Sequence, residues 1–146
     1  LTAFGCSGLL GSWLFGRLFD GHRFPFLTIT LSGVPVALLL MGPAASSLVT
    51  VLAVCALWGC CATAFNVAFQ AELIKHTPAD SSAVAMSIFS GLFNLGIGTG
   101  TAIGGPVVSG PGIAWIGYAG GAIAVVGVIL AITVMFPAIR RAKPVA

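Results

Sequence analysis

Residues 48–73 read LVTVLAVCALWGCCATAFNVAFQAEL, and the first charge in this stretch is Glu72. A helix on the surface of a soluble domain carries a charged and polar face opposite its apolar stripe, and this run has no charge before Glu72. At about 1.5 Å per residue it is long enough to cross a hydrocarbon core of about 30 Å. The spacing therefore predicts a transmembrane helix from about Leu48 to Leu73, ended by Lys75, His76, Thr77 and Pro78.

The same pattern repeats on both sides. Downstream, Asp80 or Ser81 offers an N-cap for a run from about Ser82 to Val108. Ser109, Gly110, Pro111 and Gly112 make a tight turn, and a further run reaches from about Ile113 to Phe136 before Pro137 opens a tail over 137–146. Upstream, the turn Gly42, Pro43, Ala44, Ala45, Ser46 precedes it, and before that an apolar run extends from about Phe24 to Met41. Pro25 suits a first helical turn, and Pro35 predicts a kink. The first run extends from Leu1 to about Phe19, closed by a polar stretch with Arg17, Asp20, His22 and Arg23. The expected fold class is an all-α integral membrane bundle of five spans.

Composition agrees. The chain is 58% hydrophobic and 6% charged, with a mean hydropathy of +1.12, against about 25% charged residues in soluble domains. A net charge of +3 without a basic stripe argues against nucleic acid as a partner. Cys6, Cys55, Cys60 and Cys61 lie in apolar runs, where a thiol acts as a small hydrophobe, and His22 and His76 are too distant in sequence to complete a metal spacing. No paired carboxylates or nucleophile with a base point to catalysis, and no metal or cofactor is expected. Leu1 opens inside an apolar run without the charged start or cleavage site of a signal peptide, so the chain reads as a fragment.

Five spans place alternate loops on opposite sides. Arg17 and Arg23 fall in the first loop, Lys75 in the third, and Arg140, Arg141 and Lys143 in the tail, so every lysine and arginine lies on one side. The positive-inside rule makes that side, and the C-terminus, cytoplasmic.

Gly96, Gly100 and Gly104 recur every four residues in the fourth span, and Gly117 and Gly121 do so in the fifth. Small residues at this spacing let membrane helices approach closely. A dinucleotide loop is the functional alternative, but Ile103 stands where its third glycine would be and no strand precedes it. Thr63, Asn66 and Gln70 share one face of the third span, and Ser87, Ser90, Asn94 and Thr101 share one face of the fourth. Two readings stand: these residues hydrogen-bond helix to helix, or Asn66, Gln70, Asn94, Ser90 and Thr63 line a polar cavity and bind the hydroxyls of a solute. Glu72, one turn from His76 and three residues from Lys75, suits either a helix-end ion pair or a proton relay, and its place near the interface favours the pair.

The first loop, Gly16, Arg17, Leu18, Phe19, Asp20, Gly21, His22, Arg23, resembles the loop signature of the major facilitator superfamily. Its glycine stands four residues before an aspartate, with bases following. The usual base after the aspartate is Gly21 here and the later glycine is Arg23, as in the weaker copy between helices eight and nine. That placement implies helices eight to twelve of a twelve-helix bundle, its N-terminal part missing from this chain. Phe89, Ser90, Gly91, Leu92, Phe93, Asn94, Leu95, Gly96, Ile97, Gly98 and the later Ile116, Gly117, Tyr118 resemble bacterial sugar efflux transporters of the drug:proton antiporter branch. The resemblance implies export of a sugar or sugar-like solute from the bacterial inner membrane by alternating access, with protons as the coupling ion. A multidrug or other metabolite exporter of the same superfamily, and a non-transporting membrane scaffold, are the alternatives.

Overall fold

The computed structural model describes residues 2–19 and 21–141, with side chains from Gly5 onward. Asp20 of the loop signature and Lys143 of the tail lie outside the described residues. The described chain is helical: α1 (Thr2–Leu18), α2 (Arg23–Ala44), α3 (Leu48–Lys75), α4 (Ser82–Ser109), α5 (Ile116–Leu130) and α6 (Phe136–Arg141). Short 3₁₀ turns at Ala79–Ser81 and Ile113–Trp115 precede α4 and α5, and a π-helical turn, Ala131–Met135, joins α5 to α6.

Four stretches are long and apolar enough to cross a membrane: Arg23–Ala44, Leu48–Lys75, Ala79–Ser109 and Ile113–Arg141. The first helix, with 17 described residues, is shorter. Several boundaries differ from the sequence reading. The second helix runs on through Gly42 and Pro43 to Ala44, because a proline in a last turn removes one backbone bond without ending the helix. The last span does not stop at Pro137. That residue is second in α6, directly after the π turn, and a widened turn relieves the clash a proline ring makes with the preceding turn. At the start of α4, neither Asp80 nor Ser81 caps the helix with its side chain. A 3₁₀ turn, with Ser81 N donating to Pro78 O at 2.9 Å, takes up the free backbone groups instead.

Packing centres on α3, which lies against α1 and α2, while α5 packs on α2. Small residues set these contacts. A Cβ on Gly11 would stand 2.5 Å from the Cys60 carbonyl oxygen, and one on Gly117 would stand 2.6 Å from that of Leu38, so only glycine admits either crossing. Phe19, Phe26, Leu27, Ala64, Ala68 and Phe136 form one buried cluster, and Ala37, Ala44 and Val54 a second. By contrast, α4 has no buried residue. A Cβ on Gly96 or Gly100 would meet nothing within 4 Å, and one on Gly104 would touch only Ile116 at 3.4 Å. Among the described residues no helix packs closely on that glycine face, and Gly100 and Gly104 only border a groove shared with Ile116 and Gly120 of α5, whereas Gly117 and Gly121 both face α2.

Candidate functional site

A cleft of about 630 Å³ opens between α2, α3, α4 and the end of α5. Its wall is built by helical spacing. Phe65 and Phe69 lie four apart on α3 and Phe89 and Phe93 four apart on α4, so each pair shares a helix face. The two faces meet in a row of rings, with centroids 5.8 Å apart from Phe65 to Phe69, 5.5 Å from Phe69 to Phe89 and 6.1 Å from Phe89 to Phe93. Leu130 and Val134 stand on the opposite wall, and Asn66 is the amide among the lining residues. Its Oδ1 accepts a hydrogen bond from Gln70 Nε2, which leaves the Asn66 amide N–H groups available to an acceptor. Such a site presents flat apolar rings to one face of a solute and a hydrogen-bond donor to its edge.

The residues singled out in the sequence are thus only partly brought together. Asn66 lines the cleft, with Gln70 behind it; Thr63, Ser90 and Asn94 do not line it. Thr63 faces α1, its Oγ1 3.0 Å from where a Cβ on Gly8 would stand. On exposed α4, Asn94 Nδ2 donates to Ser90 O at 2.8 Å, Ser87 Oγ to Ala83 O at 2.9 Å and Thr101 Oγ1 to Gly98 O at 2.8 Å. These polar groups satisfy carbonyls of their own helix. The phenylalanine row escaped the sequence reading, although the two spacings of four were visible there.

The second polar constellation lies where α2 begins and α3 ends. Glu72 is 3% exposed, with Arg23 Nη1 at 3.1 Å from Oε1 and His76 Nδ1 at 3.5 Å from Oε2. Neither carboxylate oxygen accepts a well-directed hydrogen bond, so the compensation for burying it is chiefly Coulombic. The main partner is therefore Arg23 of the loop signature, reached across helices, and Lys75 is in no ion pair among the described residues. Of the other signature residues, Gly16 has open space beside it and Arg17 stacks on Trp13 at 4.8 Å. No group of three or more metal-ligating side chains occurs among the described residues.

The Major Facilitator Superfamily model matches residues 1–146. The chain belongs to that superfamily. Among curated relatives, it is 33% identical over 136 residues to the "Probable sugar efflux transporter" of Pasteurella multocida, covering 93% of this chain and 33% of that protein. It is 32% identical over 133 residues to the protein of the same name in Haemophilus influenzae, covering 91% and 33% respectively. The protein of that name in Mannheimia succiniciproducens is 33% identical over 129 residues, 88% of this chain and 32% of that protein. The chain thus spans about a third of the length of the relatives it matches. No solved structure matches it. Superfamily membership makes the bundle a multi-pass membrane protein of a transporter family rather than an enzyme.

Proposed function

We propose that the chain supplies helices eight to twelve of a secondary transporter that exports a small polar solute, a sugar or sugar-like compound, across the bacterial inner membrane. The observation that carries this reading is the 33% identity to a "Probable sugar efflux transporter" over 93% of the chain. In the proposed mechanism, two halves of a longer protein rock around a site near the midplane, and inward proton flow drives the solute out. Asn66 donates to a solute hydroxyl from the cleft, Gln70 holds the Asn66 amide in place, and Asn94 offers its exposed Oδ1 from α4. The basic end of the bundle faces the cytoplasm.

Flux of labelled sugars into inside-out vesicles carrying the complete transporter tests this reading. Export of a sugar should be saturable and should collapse when a protonophore removes the proton gradient. No solute-specific flux would leave a membrane scaffold in its place. The phenylalanine row gives a second reading specific support, because ring walls with one amide also suit larger apolar compounds. Saturable flux of lipophilic cations, with none of sugars, would favour that multidrug reading.

A further inference from the structure

A separate cleft of about 410 Å³ lies at the basic end, between α2 and α6, lined by Thr28, Ile132, Phe136, Pro137, Arg140 and Arg141. Both arginines are exposed, and neither is in an ion pair with a carboxylate among the described residues. Arg140 is nevertheless held in place, its guanidinium 4.7 Å from the centre of the Phe24 ring. Arg23 approaches the same ring at 5.6 Å. Three guanidinium groups therefore crowd this corner, and the buried acid nearby, Glu72, is engaged by Arg23 and His76. Among the described residues the corner is a concentration of positive charge in which Arg140 and Arg141 have no carboxylate partner.

Its depth decides which anion fits. The cleft joins the start of one membrane span, Arg23–Ala44, to the end of another, Ile113–Arg141, so it sits where lipid headgroups meet the hydrocarbon. Ile132 and Phe136 continue the wall into the span, and the Thr28 hydroxyl has committed its proton to Phe24 O at 2.8 Å. The wall below the arginines is thus apolar and suits an acyl chain, while the arginines above it suit a phosphate, which a guanidinium can bind through two N–H groups.

We propose that Arg140 and Arg141 bind the phosphate of an anionic glycerophospholipid, with an acyl chain lying along Ile132 and Phe136. This site is distinct from the cleft that contains Asn66, and its occupancy does not depend on the identity of the transported solute. Basic pockets between membrane helices recognise anionic headgroups in this way, and each arginine near the membrane surface contributes about fivefold in affinity.

Native mass spectrometry of the detergent-purified transporter, titrated with phosphatidylglycerol or phosphatidylcholine, tests the site. Phosphatidylglycerol should bind about 25-fold more tightly than phosphatidylcholine, and the variant carrying both Arg140→Gln and Arg141→Gln should lose that preference. Arg17→Gln, which removes a base stacked on Trp13 outside the cleft, should keep it. Helicity and elution volume report whether the double variant is folded; if it is not, Arg141→Gln alone should cost about fivefold. An unchanged preference in the arginine variants, or an equal loss in Arg17→Gln, overturns the site. Displacement of the lipid by millimolar inorganic phosphate would make it a site for small free anions instead.

Discussion

Glu72 illustrates how one buried charge fixes a contact between helices distant in sequence. Its carboxylate is 3% exposed and depends on Arg23 at 3.1 Å, which enters from the first turn of α2. Removing one partner of a buried pair leaves an uncompensated charge, typically at about 3 kcal/mol, whereas replacing both removes the problem. Arg23→Met should therefore lower the melting temperature in detergent markedly, and adding Glu72→Leu should restore most of it. Equal melting of the single and double variants would show that the pair contributes nothing. The candidate solute contacts are also testable at single residues. Asn66→Leu and Asn94→Leu should each weaken solute affinity by about ten- to a hundredfold, or about 1 to 3 kcal/mol, with membrane abundance unchanged. Poor insertion with unaltered affinity in the surviving fraction would make these amides packing groups.

At the scale of elements, glycines of equal appearance in the sequence have different surroundings. Gly117 lies against the Leu38 carbonyl, while a methyl group on Gly98 would meet nothing within 4 Å. Gly117→Val should separate α5 from α2 and cost about 1 to 3 kcal/mol, because a packed interface cannot absorb the added carbons. Gly98→Ala in this chain should be neutral or stabilise by up to about 1 kcal/mol, since alanine is the better helix former. Thermal unfolding of the two variants in detergent checks the contrast; equal effects would refute the assignment of α5 as packed and α4 as bare. The repeating glycines of α4 were legible in the sequence, but their partner was not. On α1, Gly8 and Gly11, three residues apart, instead lie against Thr63 and the Cys60 carbonyl of α3.

For the whole molecule, the charges define a direction. Arg23, Glu72 and Arg140 converge at one end of the bundle through the ion pair and the two contacts on Phe24. The orientation proposed from the positive-inside rule can be measured by single cysteines in a background without Cys6, Cys55, Cys60 and Cys61. A cysteine replacing Ser109 should react with an impermeant reagent added outside intact cells, and one replacing Lys143 should react only after the membrane is opened. The opposite pattern would invert the topology and remove the support for a cytoplasmic basic end.

Hydropathy is a property of each segment taken alone, which is why the membrane class and the four long apolar helices could be read from residues 48–73 outward. The loop and the glycine-rich fourth span also carried the family resemblance. Helix contacts are different, because a helix apolar on every side has no periodic stripe to announce which face meets a neighbour. Only the tertiary structure decided that Phe65 and Phe69 meet Phe89 and Phe93, that Glu72 pairs with Arg23 rather than Lys75, and that Asn66 lines the cleft while Thr63 faces α1. Each depends on the rotation and crossing of two helices, which side-chain volumes on both partners set together.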